Sequence, residues 1–329
     1  MARYLIVGCG SIGTRHLLNL RTLGVSEISV CDSDPQRCAQ ATERHGVHTF
    51  SRLEDALQNQ PDVVFVTTPP SSHMAIALAA AHAGCHLFIE KPLSHTEEGL
   101  EELADVVRRA RLVTMVGCNM RFHHGPATIK RLLEQEAIGT IISASLDAGM
   151  YLPDWHPDQD YRRAYSASCS LGGGVILDGI HEIDYARWLF GEITEVFCQG
   201  GRFSHLDIET EDSANILMTV RSGFSVAIHI DYVQRAYARS CKVIGEEGTI
   251  VWEIAGPVRW FSARTKSWQT VPQPEAYAIN EMYIEELRHF LNCVEHPATS
   301  ALDIAEGIRV TRLALAIKRS METREKVVV

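Results

Sequence analysis

Along the first 120 residues, short apolar runs alternate with longer segments of mixed polarity. Residues 4–7, 28–31, 63–66, 86–89 and 112–116 are such runs. Each has the length of a strand and is largely apolar rather than alternating, as strands buried on both faces are. The segments between them read as helices. One opens after residue 10 and runs through Leu23; one starts at Pro35 with Asp34 as N-cap. An Ala-rich helix over 71–83 ends at Gly84, and a charged amphipathic helix covers 96–109. This alternation predicts a doubly wound parallel sheet covered on both faces.

The pattern changes near residue 119. A helix over 126–135 leads to a strand over 141–146, then to an irregular, aromatic and Pro-rich stretch over 151–165. The glycine run Gly172-Gly173-Gly174 precedes a helix over 175–190. From 192 to 260 the period shifts to two. Ala214, Ile216, Met218 and Val220 lie on one side, and Phe224, Val226, Ile228 and Ile230 follow after the turn Arg221-Ser222-Gly223. That is a hairpin signature. Helices near 280–294 and 303–319 close the chain. The second half therefore reads as α+β, with a large, mostly antiparallel open sheet and helices on one face. The other face is expected to meet a second subunit. With 329 residues the chain exceeds one ordinary core, so two domains are expected, 1–120 and 121–329.

Composition excludes several classes. A net charge of -10 leaves no electrostatic footprint for nucleic acid or an anionic membrane. No apolar stretch approaches membrane-spanning length. The start does not read as a signal peptide, because Arg3 interrupts it and residues 4–7 are too short an apolar run. Nine cysteines are scattered without a C-x-x-C pair, which predicts reduced thiols in a cytoplasmic protein. Neither His156 nor His181 stands in an H-x-x-x-H or H-E-x-x-H spacing, so no metal is expected at His156, Asp178, His181 and Asp184.

Gly8-Cys9-Gly10-Ser11-Ile12-Gly13 follows a strand and opens a helix, the setting of a Rossmann dinucleotide site. Gly8 permits the turn, Gly10 lets the backbone approach a pyrophosphate, and Gly13 lets helix and strand pack. Phosphates are expected on the helix N-terminus, with Ser11 and Ile12 in its first turn. Asp32 ends the second strand, where a carboxylate accepts ribose hydroxyls and repels a 2′-phosphate. NAD is thus favoured over NADP, although Arg37 leaves room for some NADP. Thr67, Thr68 and Pro69 follow the third strand at the ligand-binding edge; the alternative is a turn that only starts the next helix. His73, Glu90 and Lys91 complete the cofactor set.

Glu90-Lys91-Pro92 ends the fourth strand at the same edge. Lys91 there suits stabilisation of an alkoxide as hydride leaves, and its bond to Pro92 is a candidate cis bond. Asp178 and His181 stand three apart, so on the helix over 175–190 they share a face, with Asp184 and Tyr185 continuing that face one turn on. A histidine beside a carboxylate is a proton acceptor near neutral pH. Gly179 in a helix interior suggests close approach of a ligand or another backbone.

With these residues in hand, the chain resembles the glucose–fructose oxidoreductase / inositol dehydrogenase / MocA family. The matching pieces are Gly8 to Gly13, Glu90-Lys91-Pro92, the glycine run with Asp178, His181 and Asp184, and Trp188-Leu189-Phe190-Gly191. The resemblance implies a Rossmann domain, a second domain whose open sheet serves oligomerisation as a homodimer or homotetramer, and Lys91 with His181 as the catalytic pair. His181 would take the hydroxyl proton while hydride goes to the nicotinamide. Many members carry the acid four residues before the histidine. Here Leu177 stands there and Asp178 stands three before, so Asp178 and Asp184 are alternative carboxylate partners of His181. The pattern Asp178 to Tyr185 looks like a branch of surface-polysaccharide and nucleotide-sugar enzymes.

Substrate contacts are sought in the 151–163 loop. Trp155 and Tyr161 offer faces for a sugar ring, and Arg162 or Arg163 offers a clamp for an anionic group. Arg121 and Asp184 join them, with His123 nearby in sequence. The expected function is an NAD-dependent dehydrogenase acting on a hydroxyl or keto carbon of a sugar, nucleotide sugar or cyclitol. The alternatives are a dinucleotide-binding sensor without turnover, and a hydrolase or isomerase that uses NAD catalytically.

Overall fold

Val63, Val64, Phe65 and Val66 are all fully buried, as their unbroken apolar run requires. Full burial of each such side chain is worth roughly 1.5–3 kcal/mol, so this strand anchors its sheet. The computed structural model describes residues 2–275 and 277–329. It divides into two compact units: the segment up to Cys118 with Asn280–Thr311, and Asn119–Ile279 with Arg312–Val329.

The first unit holds a six-stranded parallel sheet. Its strands are β1 (Tyr4–Val7), β2 (Ile28–Cys31), β3 (His48–Phe50), β4 (Val63–Val66), β5 (His86–Glu90) and β6 (Thr114–Gly117). They lie in the order β3-β2-β1-β4-β5-β6. The pattern of apolar runs supplies five of these strands and omits β3 and the helix Leu53–Gln58 that follows it. β3 is a three-residue edge strand with an exposed or half-buried surface, so it carries no apolar run. The charged helix starts at Leu100 rather than 96, because Gly99 adopts a left-handed φ of 78° at its N-cap. A Cβ on Gly99 would lie 2.6 Å from Met74, so glycine is required there. The last strand starts at Thr114 rather than 112, since the Leu112 N–H still closes the preceding helix on Val107.

The helix Asn280–Glu295 belongs to this first unit, where a single cut at 120 assigns it to the second domain. Its Phe290 packs edge-on to Phe65 and Phe88 at 5.8 and 5.5 Å. The amides of Asn19 and Asn280 face each other at 2.8 and 3.3 Å. The Val116 N–H donates to the Leu302 carbonyl at 2.9 Å.

The second unit is built on a nine-stranded sheet. Its strands are β7 (Ile141–Gly149), β8 (Ile193–Gly201), β9 (Ser213–Val220), β10 (Ser225–Asp231), β11 (Ala238–Gly245), β12 (Gly248–Glu253), β13 (Val258–Ser262), β14 (Ser267–Val271) and β15 (Val327–Val328). Their order is β14-β13-β12-β11-β7-β10-β9-β8-β15. Among the described residues of this sheet, only β7 and β10 pair in parallel. The expected hairpin is β9–β10, with Ala214, Ile216, Met218, Val220, Val226, Ile228 and Ile230 buried on one face. On the other face Phe197 and Leu217 are cross-strand partners, 40% and 48% exposed.

The helix expected over 175–190 is broken into Val175–Asp178 and Ile180–Phe190. Gly179 stands at the break. A Cβ there would lie 2.8 Å from the Val175 carbonyl and 3.0 Å from Ile230. The close approach read from Gly179 is thus met by the protein's own groups. Asp178 ends one piece and His181 lies in the next, so a continuous helical face does not relate them.

Among the described residues, no helix is long and apolar enough to cross a membrane.

Candidate active site

The glycine motif divides by what each position meets. Gly8 has a φ of 105°, and a Cβ would lie 2.8 Å from the Thr67 carbonyl. A Cβ on Gly13 would lie 1.9 Å from the Gly8 oxygen. Internal packing demands both. At Gly10 a Cβ would meet only Arg37 Nη1, at 4.0 Å. The helix Ser11–Thr22 that Gly10 opens has no side-chain cap and no acidic residue in its first turn. Free N–H groups, a positive helix end and open space suit a pyrophosphate, so these residues fit a dinucleotide.

Asp32 follows β2 and is buried. Its Oδ2 accepts from the Cys9 N–H at 2.7 Å and its Oδ1 from the Asp34 N–H at 2.9 Å. Each carboxylate oxygen has a second acceptor site, which suits ribose hydroxyls. Arg37 approaches Asp32 at 3.8 Å and Asp34 at 3.6 Å. Asp34 caps the next helix through the Gln36 N–H, as expected. Burial, with the charge of Asp32, pushes the Cys9 thiol up to about 12, so it is no nucleophile at neutral pH.

Two loops meet at the carboxyl edge of this sheet. The Thr67 hydroxyl lies within hydrogen-bond reach of the Val7 and Gly8 carbonyls, at 2.9 and 2.8 Å. His73 is buried with Nδ1 2.8 Å from the Pro92 carbonyl and Nε2 2.7 Å from the Thr68 carbonyl. Glu90 Oε1 lies 2.6 Å from His16 Nε2, and its Oε2 accepts from the Lys91 N–H at 3.1 Å. The Lys91–Pro92 bond is cis, and Lys91 is half-buried. The sequence offers Thr67, His73 and Glu90 as cofactor contacts. Their side chains engage protein groups, which fixes the loops that carry Thr68, Pro69 and Lys91.

In the second unit Asp178 is buried between two tyrosines. The Tyr165 hydroxyl donates to its Oδ1, and the Tyr232 hydroxyl to its Oδ2 at 2.5 Å. Gly173 and Gly174 hold this arrangement. A Cβ on Gly173 would lie 2.2 Å from the Tyr165 carbonyl, and one on Gly174 2.4 Å from Glu211. Arg121, in the turn Asn119–Phe122, grips Asp184 through Nε at 2.9 Å and Nη2 at 2.6 Å. The sequence offers those two as separate substrate contacts; the structure pairs them, both buried.

Trp155 is half-buried, donates to the Met150 carbonyl at 3.2 Å and packs edge-on to Tyr232. The Tyr161 oxygen accepts from the Asp207 N–H at 3.3 Å. Arg162 is exposed and bound by Asp160 through two contacts at 2.7 and 2.8 Å. Arg163 is exposed. His123 is buried against Trp252 and Tyr277, with its Nδ1 accepting from the Gly125 N–H. Burial and the Arg239 charge hold its pKa at about 4. No cluster able to hold a metal occurs among the described residues.

His16, Tyr165, Tyr232 and the pair of buried Glu182 with half-buried Arg239 escape the sequence reading. His16 had one local signal: with Leu17 and Leu20 it lies on the buried stripe of its helix. The others are pairings between distant segments.

The fold and these residues define a nucleotide-binding oxidoreductase. Residues 2–118 match the oxidoreductase family with NAD-binding Rossmann fold, and residues 127–251 match the GFO/IDH/MocA C-terminal domain. The chain belongs to the Gfo/Idh/MocA family of oxidoreductases. It is 27% identical to myo-inositol 2-dehydrogenase of Thermotoga maritima, over 98% of this chain and 97% of that protein. A match to levoglucosan dehydrogenase of Pseudarthrobacter phenanthrenivorans is 35% identical but spans 51% of this chain and 43% of that protein. A solved structure of levoglucosan dehydrogenase, in complex with NADH and levoglucosan, superposes with a TM-score of 0.89. It is 22% identical, covers 100% of this chain and 99% of that one, and establishes likeness of fold.

Proposed function

We propose that the chain is an NAD-dependent dehydrogenase of polyols. It would move hydride between nicotinamide and a hydroxyl or keto carbon of a sugar, nucleotide sugar or cyclitol. NAD, when bound, supplies the hydride acceptor. The N–H groups from Gly10 to Gly13 hold the pyrophosphate, and Asp32 accepts the ribose hydroxyls. Asp32 also favours NAD over NADP. His181 takes the proton of the substrate hydroxyl. The Lys91 ammonium donates to the same oxygen as negative charge builds on it. Asp178, held between its two tyrosines, is a positioning residue for the segment that carries His181. Trp155 and Tyr161 are offered as ring contacts for the sugar.

The observation that carries this reading is the open, uncapped helix end at Gly10 beside the buried acceptor Asp32, in a chain matched to this family in both halves. The open face of the nine-stranded sheet, with the Phe197–Leu217 pair, is the surface proposed to join two copies into a dimer or tetramer. The nine free thiols fit a reducing, cytoplasmic compartment. Incubation with NAD or NADP and a panel of cyclitols, pyranoses and nucleotide sugars, followed by absorbance of reduced nicotinamide, tests the reading. Turnover with NAD supports it. Tight NAD binding without turnover of any polyol or ketose supports a sensor instead.

A further inference from the structure

Among the described residues, His73 touches two acceptors and no donor. Its Nδ1 lies 2.8 Å from the Pro92 carbonyl oxygen and its Nε2 2.7 Å from the Thr68 carbonyl oxygen. A neutral imidazole has one N–H and one lone pair, whereas the imidazolium has two N–H groups. With one proton, one of these contacts sets lone pair against lone pair. We propose that His73 is doubly protonated in this arrangement and that loss of one proton releases one of the two loops it joins.

Those loops are the ones that matter for the proposed chemistry. Thr68 belongs to the turn after β4, and Pro92 follows Lys91 directly. Glu90, one residue before Lys91, favours the His73 proton, and His95 opposes it. Burial opposes it most strongly and draws the pKa below that of an ordinary imidazole. The same Glu90 holds the Lys91 N–H and meets His16, so the cluster carries one carboxylate between two imidazoles. A group whose folded pKa is depressed is protonated at the acid end and lets go as pH rises. The clamp is therefore closed in acid and opens on the way to neutral pH, and His73 acts as a positioning residue for Lys91.

The test is nitrogen NMR on this chain labelled with ¹⁵N-histidine and with ¹³C at the carbonyl carbons of threonine and proline. The His73 signals are those lost in His73→Gln. Coupling across the hydrogen bonds to the Thr68 and Pro92 carbonyl carbons assigns them without any substitution. Both ring nitrogens are expected at protonated shifts at the acid end of the folded range. One nitrogen is expected to change to an unprotonated shift below the ordinary imidazole pKa of about 6.5. A single neutral tautomer at every pH at which the chain is folded overturns the proposal. So does an imidazolium that never titrates. The consequence for turnover rests on the proposed dehydrogenase reading: His73→Gln removes this transition from the pH profile of kcat. The NMR result stands whether or not the chain oxidises a polyol.

Discussion

Arg121 and Asp184, 63 residues apart, bind each other through two parallel hydrogen bonds inside the second unit. Both side chains are almost wholly removed from water. The pair ties the turn Asn119–Phe122 to the helix Ile180–Phe190, on which His181 sits. Removing one member strands a buried charge, which costs about 3–5 kcal/mol. Arg121→Met is expected to lose that much stability in urea denaturation. A loss under about 1 kcal/mol, the range of an exposed pair, would show that the contact is not a buried one.

Asp178 accepts from the hydroxyls of Tyr165 and Tyr232. Tyr232 is fully buried and Tyr165 half-buried. Tyr232→Phe removes one donor from a buried carboxylate, worth about 1–3 kcal/mol. The expected result is a lower unfolding midpoint with NAD affinity retained. An unchanged midpoint contradicts the assigned bond.

Asp32→Ala removes the ribose acceptor proposed here. Hydrogen bonds to a charged group contribute about 1.5–3 kcal/mol each, so NAD affinity is expected to fall at least tenfold. NADP affinity is expected to fall less, because repulsion of a 2′-phosphate goes too. Calorimetric titration with both nucleotides reads this, and a circular dichroism melt checks the loss of the Cys9 contact. Equal losses for both nucleotides refute the discriminating role.

His123 links stability to pH. Its folded pKa of about 4 lies well below an unfolded value near 6.5. The folded state thus prefers the neutral ring. Its stabilisation is complete above pH 6.5 and is lost as pH falls toward 4. The full loss is of order 3 kcal/mol, from about 1.4 kcal/mol per pKa unit. Urea midpoints measured between pH 7 and 4 are expected to drop more for the native chain than for His123→Asn. Parallel slopes would remove His123 from the account.

Much of this fold could be read from side-chain type alone. β4 announces itself because every side chain in Val63–Val66 is buried, leaving no polar position to interrupt the run. Gly8 and Gly13 are legible because close backbone approach excludes a Cβ, and only glycine lacks one. Asp34 caps locally, so its role is written within three residues. β3 is silent, since a three-residue edge strand has no face to bury. The break at Gly179 depends on Ile230, which no window around the helix contains. His16 meets Glu90 across 74 residues of sequence, and that partnership comes from strand order rather than from local period. Site residues were therefore visible as types at a sheet edge, while the hydrogen bonds that hold them were not.

The pairing of Lys91 with His181 is tested most directly by the single-turnover rate of NAD reduction, with the polyol that the panel identifies, in the native chain, Lys91→Met and His181→Ala. General acid–base groups contribute about 10²–10⁴-fold, so each variant is expected to lose that much rate while NAD affinity and the unfolding midpoint hold. Either variant reducing NAD at the native rate would contradict the pair.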